Sequence, residues 1–331
     1  MRPARVLVTG AAGFIGQHLV RAQLERGRQV RALDRDAAAL GRLGPRDGLE
    51  VVAGDVAEAD VQRAAVADID LVFHLASAHL ETGLPEAAYH RINVDAVKTL
   101  LTASREAGVR RFVHVSSSSV HGSVTPGPAD EEAPFCPTIP YEQTKASGEL
   151  AARDFARRSG FPVVVARPVW VYGPGCKRTA RLFQTVASRK FVMVGRGANF
   201  RSAIYITDLL DALERCATRP GIEGEAFLVT HDEMITVSAI VSEIARLVGS
   251  PGPRLRVPLV VGWNLALAAE MAARMLGKDP PFSRRSLKFF TTDAAFTCAK
   301  ARRQLGFEPR IPLRRGLELT YRWWRSNGGG G

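Results

Sequence analysis

Cysteine is scarce in this chain. Four residues of 331, Cys136, Cys176, Cys216 and Cys298, stand far apart, with no CxxC pair and no histidine at ligand spacing. Reduced structural thiols of a cytoplasmic protein are therefore expected, and no metal. Long apolar runs are also missing, since none reaches the roughly 20 residues of a membrane span. The longest, "VPLVVGWNLALAAEMAARML" from Val257, is interrupted by Asn264, Glu270 and Arg274. It reads as a buried or interfacial helix without stable membrane insertion, a helix resting on a membrane being the lesser alternative. The opening "MRPARVLVTG" runs straight into a strand pattern, so no signal peptide is expected. No internal repeat is visible, and only "SNGGGG" (326–331) reads as a disordered tail.

One charge sign predominates without being concentrated. Lys and Arg total 45 against 33 Asp and Glu, a net +12. Much of the excess is arginine spread along the chain, so no nucleic-acid face is expected. Such a surface is mostly solvated, and adds attraction for a phosphate-bearing substrate or an anionic membrane.

Short apolar runs alternate with amphipathic stretches through the first half. "RVLVTG" (5–10), "QVRALD" (29–34), "LEVVAGD" (49–55), "LVFHLAS" (71–77), "RFVHVSSSS" (111–119) and "FPVVVARP" (161–168) each suit a strand buried on both faces. "FIGQHLVRAQLERG" (14–27) and "NVDAVKTLLTASREAG" (93–108) carry helical periodicity and end in Gly. The alternation predicts an α/β fold: a Rossmann-type, doubly wound parallel sheet. That domain is placed at 1–170, with elements contributed from 200–230. Residues 171–325, richer in Pro and Gly, are expected to form a smaller C-terminal α/β substrate lobe.

"VLVTGAAGFIGQHLV" sets Gly10, Gly13 and Gly16 between a strand and a helix. Gly10 permits the tight turn, Gly13 lets a pyrophosphate approach the backbone, and Gly16 allows close helix–strand contact. Phe14 and Ile15 open the helix, whose free N–H groups and dipole attract phosphate. Asp34 follows 18 residues after Gly16, at the end of the second strand. A carboxylate there holds both ribose hydroxyls of NAD and repels a 2′-phosphate, whereas Arg35 could bind that phosphate. NAD is the expected cofactor, with NADP the lesser alternative.

The GxxGxxG spacing in "TGAAGFIG" resembles the extended branch of the short-chain dehydrogenase/reductase superfamily, the NAD-dependent epimerase/dehydratase enzymes. Three further segments resemble the same branch. "AGDV" (53–56) is similar to a loop that contacts adenine, implicating Asp55 and Val56. "HLAS" (74–77), with Leu75, Ala76 and Ser77, resembles an "HLAA" loop beneath the cofactor. Asn93 matches the family's structural Asn behind the nicotinamide. Further on, "ARPVWVYGPG" (166–175) is similar to "RPxxVYGPG" and implies that Pro168 lines the nicotinamide pocket.

"PYEQTKASGEL" carries the reactive groups. Of five tyrosines only Tyr141 has Lys four residues later, Lys145. On a helix the two share a face, so the ammonium lowers the phenol from about 10 and makes it an acid or base for an alcohol or ketone. A Ser-rich strand end, "VHVSSSSVHG", precedes it, where a hydroxyl could hold the substrate oxygen. Counting back five residues from Gly122, as the resemblance implies, selects Ser117, with Ser118 as the alternate. His121 stands where the family has Tyr and reads as structural.

Three reactions share this scaffold. The family's 4,6-dehydratases carry Asp-Glu after the active hydroxyl, whereas this chain has Ser118 and Ser119, so dehydration is not expected. Arg201, in a segment resembling "RxFxYVxDxxDA", falls on a position that binds substrate diphosphate, and Arg178 in "CKRTAR" suits the same group. The expectation is thus a nucleotide-sugar (UDP-sugar) 4-epimerase acting by transient hydride transfer to NAD. Trp170, standing where those epimerases have Asn, suits an apolar or aromatic substrate. Trp170 and "PPFSRRSLKFF" favour the alternative, a 3β-hydroxysteroid or sterol dehydrogenase-like oxidoreductase. A non-catalytic NAD(P)-sensing regulator is the lesser alternative, against which intact Ser117, Tyr141 and Lys145 argue. Helices 93–108 and 142–158 resemble those that pair between subunits, implying a homodimer.

Overall fold

The computed structural model describes residues 4–79, 84–125, 127–253, 255–275 and 284–328. Strands and helices alternate through β1 (Arg5–Thr9), α1 (Phe14–Glu25), β2 (Gln29–Asp34), α2 (Ala37–Gly41), β3 (Leu49–Ala53), α3 (Ala59–Val66) and β4 (Leu71–His74). Then come α4 (Glu86–His90), a π-helical turn (Arg91–Asp95), α5 (Ala96–Glu106), β5 (Arg111–Val115), α6 (Pro140–Ser159) and β6 (Val163–Pro168). These six strands and β11 (Ala226–Val229) form one parallel sheet in the order β11-β6-β5-β4-β1-β2-β3.

Sequence pattern explains the layers. Side chains alternate across a strand, so Val6 and Val8 enter the hydrophobic core on one face while Leu7 enters that on the other. β6 is buried along its whole length, as a central parallel strand should be. β3 departs from the expected burial on both faces: no strand lies beyond it among the described residues, and Val51 is 48% exposed. Chain order reverses between β1 and β4, and the crevice outside their carboxyl ends is where such sheets bind ligands.

The rest of the chain builds a cover over that crevice. It comprises β7 (Trp170–Tyr172), α7 (Lys177–Ala187), β8 (Val192–Val194), β9 (Phe200–Arg201), β10 (Ala203–Tyr205) and α8 (Ile206–Thr218) before β11. β12 (Ile235–Thr236), α9 (Val237–Val248), β13 (Leu255–Val257), α10 (Leu259–Met275), α11 (Arg284–Thr291), α12 (Ala299–Leu305) and α13 (Leu313–Ser326) follow it. Three two-stranded pairs, β10–β7, β12–β9 and β13–β8, stitch the cover together. Residues 299–305 pack on the main sheet from outside the expected 200–230. α8 and α12 return to the main sheet, where Leu209, Leu213, Ala301 and Leu305 join the β-sheet core. Residues 280–283 of "PPFSRRSLKFF" and 329–331 of the expected tail lie outside the described residues.

A buried ion pair ties α6 to β6. Arg167 and Glu149 are 1% and 0% exposed, and the guanidinium donates to the carboxylate through Nε (2.9 and 3.1 Å) and Nη2 (2.5 Å). Arg167 Nη1 donates to the Glu131 carbonyl at 3.1 Å and to His121 Nε2 at 3.2 Å. His121 therefore sits in this network as a neutral ring, its pKa lowered first by burial and next by Arg167. Removing one partner strands a buried charge, at a cost of about 3–5 kcal/mol. Arg167→Met should lower the urea midpoint accordingly, and the double variant Arg167→Met/Glu149→Leu should regain most of the loss. A single variant as stable as the parent would refute this account.

Candidate active site

The glycine turn closes too tightly for any side chain. Gly10 lies at φ +69°, and a Cβ there would stand 2.7 Å from the Ala76 nitrogen. A Cβ on Gly16 would meet the Gly10 carbonyl oxygen at 2.1 Å, so α1 starts directly against the end of β1. Gly13 is the N-cap, and no side chain caps α1, which leaves the first amides, around Phe14 and Ile15, open to an anion. Asp34 Oδ2 accepts from Ala12 N at 3.0 Å and Oδ1 from Asp36 N at 3.1 Å, fixing the carboxylate at the end of β2. Arg35 follows on the exposed side of that bend. A dinucleotide fits this cradle: pyrophosphate on the α1 amides, ribose at Asp34.

The neighbouring loops are held from within. Leu75 N donates to the Thr9 carbonyl and Ala76 N to Thr9 Oγ1, both at 3.2 Å. Asn93 lies in the π-helical turn, and its side chain bridges Ser77 Oγ (2.9 Å), both backbone groups of Ala78 (2.8 and 3.1 Å) and Thr144 Oγ1 (3.0 Å). Its amide is fully used in joining this loop to α6. Asp55 is likewise engaged, by Ala57 N (2.9 Å) and Arg91 Nη2 (2.8 Å), beside buried Val56. Arg91 had no signal in the sequence. Pro168 ends β6, buried beneath the cover.

α6 presents Tyr141 and Lys145 on its inner face, where both are buried. Pro140 opens the helix at a position that needs no N–H. A Cβ on Gly148 would meet the Asn93 carbonyl oxygen at 2.1 Å, so the helix backbone rests directly on the π-helical turn. Lys145 Nζ donates to the Val115 carbonyl at 2.7 Å, which points its charge at the end of β5. Burial lowers its pKa to about 8, Glu149 opposing the shift. Ser117 follows that strand end, its Oγ accepting from Ser119 N (3.2 Å) and Ser119 Oγ (2.9 Å); Ser118 is buried. The imidazole of His79 meets the Tyr141 ring edge-on at 4.9 Å. His74 and His114 stack 5.6 Å apart deeper in the sheet, and burial holds both neutral, His74 at about 3, with Lys145 adding to the shift.

The candidate substrate residues gather around Phe289 on α11. Arg178 and Arg201 bring their guanidinium carbons to 5.8 and 5.2 Å from the centre of that ring, and Trp170 meets it edge-on at 6.3 Å. Arg178 is exposed on α7; partial burial lowers its pKa, with Cys176 and then Tyr141 opposing the shift. Burial and next the like charge of Arg178, against the pull of Asp293, lower Arg201 to about 10. Arg201 Nη2 donates to the Lys288 carbonyl (2.6 Å) and Thr292 Oγ1 (3.0 Å), while its Nε and Trp170 Nε1 are buried without a hydrogen-bond partner. Thus Trp170, Arg178 and Arg201 meet, on a residue that sequence reasoning passed over. Nothing local in "SLKFF" says which way Phe289 points.

Comparison with known proteins adds four relationships. The sequence profile described as the NAD dependent epimerase/dehydratase family matches residues 6–229. A dTDP-glucose 4,6-dehydratase from Streptomyces niveus is 30% identical, covering 98% of this chain and 93% of its own. A 3β-hydroxysteroid dehydrogenase/Δ5→4-isomerase from Mycobacterium tuberculosis is 31% identical over 95% of this chain and 88% of its own. Among solved structures, UDP-glucuronic acid 4-epimerase from Bacillus cereus, in complex with UDP-glucuronic acid and NAD, superposes with a TM-score of 0.79. It is 25% identical, covering 98% of this chain and 99% of its own.

α11 is strapped to the start of α6. Lys288 Nζ donates to Glu142 Oε1 and Oε2 (2.8 and 3.0 Å) and to Thr138 Oγ1. The pair is partly exposed, so its share of global stability is at most about 1 kcal/mol. Lys288→Met should leave the unfolding midpoint nearly unchanged while speeding amide exchange across 284–291. Unaltered exchange there would show that Phe289 is positioned without the strap.

Proposed function

The chain belongs to the NAD dependent epimerase/dehydratase family, as an enzyme of the extended short-chain dehydrogenase/reductase type, and on that premise we propose that it is an NAD-dependent nucleotide-sugar 4-epimerase. The observation that carries this reading is the pair Arg178 and Arg201 set against one ring. Two like charges are poorly placed together unless an anion joins them, and a buried donor without a partner costs about 1–3 kcal/mol. A diphosphate supplies both the charge and the acceptors that Arg201 Nε and Trp170 Nε1 lack.

Bound NAD supplies the hydride acceptor. Tyr141 would take the proton from the sugar hydroxyl when that carbon is oxidised by loss of hydride, and give it back to the same oxygen when hydride is returned. Ser117 donates its own hydroxyl proton to the reacting oxygen, since its lone pairs already accept from Ser119. Lys145 places a positive charge behind the phenolate. Asp34 favours NAD over NADP, because a 2′-phosphate would meet its charge. Dehydration, the reaction named for the Streptomyces niveus relative, is not proposed: Ser118 and Ser119 provide no carboxylate after Ser117.

A second reading has its own support. Trp170 and Phe289 make an aromatic wall, with Trp170 backed by the buried ring of Tyr172 at 5.4 Å, which suits the flat apolar rings of a hydroxysteroid. Purified enzyme should interconvert epimers of a UDP-sugar with no accumulation of reduced cofactor. Stoichiometric NADH formation with a 3β-hydroxysteroid, and no action on UDP-sugars, would replace the first reading by the second. Under either, Tyr141→Phe should lower turnover by about 10²–10⁴-fold and leave cofactor affinity intact. Surviving turnover would refute the chemical assignment.

The charge on Lys145 sets a pH dependence. With its pKa lowered to about 8, the ammonium is complete well below that pH and is lost above it. Turnover that depends on this charge should fall as pH rises through about 8. Lys145→Met should be slower and lack that alkaline limb; a variant retaining the limb would assign it to another group.

A further inference from the structure

α10 is built inside out. A surface helix normally turns its large apolar side chains to the core and its polar ones to water. Here the buried positions are small, Gly262, Ala266 and Ala273, and a Cβ on Gly262 would meet a Val194 methyl at 2.8 Å. The large side chains face outward: Val260 is 71% exposed, Trp263 48%, Leu265 57%, Met271 60% and Met275 87%. Eight of the fourteen large exposed apolar side chains among the described residues lie on this one helix, and Leu255 on the adjoining β13 extends the patch. An apolar surface so concentrated is not left to water in a stable fold.

Charge indicates what covers it. Residues 249–290 carry seven basic residues (Arg254, Arg256, Arg274, Lys278, Arg284, Arg285, Lys288) against Glu270 and Asp279, a net +5 of the chain's +12. Arg256 is exposed on β13, and Arg189, Lys190 and Arg196 are exposed at either end of β8, the strand it pairs with. A second copy docked on this face would set Arg189, Lys190, Arg196 and Arg256 against their equivalents, whereas anionic lipid headgroups would neutralise them. The helix has 17 residues, and no helix among the described residues is long and apolar enough to cross a bilayer. Its length, outward apolar face and basic surroundings are those of a helix lying in the interface plane.

We propose that α10 is a peripheral membrane anchor, seating the outward face from Val260 to Met275 in the headgroup–acyl boundary of an anionic bilayer. It packs against α11, which carries Phe289, so the anchored face adjoins the wall of the active site. The inference stands independently of which alcohol the enzyme takes.

Flotation of the full chain with phosphatidylcholine vesicles, with and without about one-third phosphatidylglycerol, tests it. The enzyme should float with the anionic vesicles, weakly with the neutral ones, and less as salt is raised. Val260→Gln/Leu265→Gln/Met271→Gln changes only exposed side chains and should cut anionic-vesicle binding by roughly tenfold or more. Its thermal midpoint and cofactor affinity should match the parent and so report an intact fold. Failure of the parent to float with either vesicle, or equal flotation of the triple variant, would overturn the proposal. So would a concentration-dependent dimer, seen by light scattering without vesicles, that the triple variant abolishes.

Discussion

A backbone contact that only glycine permits governs the catalytic geometry. α6 lies on the π-helical turn so closely that the Asn93 carbonyl occupies the space of a Gly148 Cβ. The Asn93 side chain then spans Ala78 on the loop after β4 and Thr144 on α6. Tyr141, Lys145 and the loop beneath the cofactor are thus referred to one residue. Movement of α6 along its axis would break the Asn93–Thr144 hydrogen bond and drive a helix side chain into the Asn93 carbonyl, so the phenol and ammonium stay in register with the loop after β4. The Glu149–Arg167 pair secures the same helix from its other side, against β6.

The two halves of the candidate site, one proposed for cofactor and one for substrate, are made by different means. The cofactor half is mostly backbone: a turn at positive φ, the first amides of α1, and a carboxylate pinned by Ala12 and Asp36. Such a site needs few particular side chains, and it forms wherever strand, glycine turn and helix succeed one another. The substrate half is side chain on side chain. Arg178 on α7, Arg201 on β9 and Trp170 on β7 meet at Phe289 on α11, with Lys288 tying that helix to the start of α6. The same α11 touches α10, whose outward apolar face gives the cover a surface unlike the rest of the molecule.

The glycine turn, the Asp34 carboxylate and the shared face of Tyr141 and Lys145 were legible in the amino-acid sequence because their geometry is local. A glycine triplet between strand and helix, an acid at the end of the next strand, and Tyr and Lys one helical turn apart all act within a few residues of one another. Strand alternation likewise announced the parallel sheet, apart from the exposure of β3, which depends on its being an edge. Tertiary structure alone decided the rest. Arg178, Arg201 and Phe289 are separated by 23 and 88 residues along the chain, and no periodicity relates them. The apolar run from Val257 told of a helix, but which of its faces is buried depended on the small residues that fit against Val194. Local pattern specifies backbone conformation, whereas the direction of a side chain in a cover of irregular loops is set by long-range contacts.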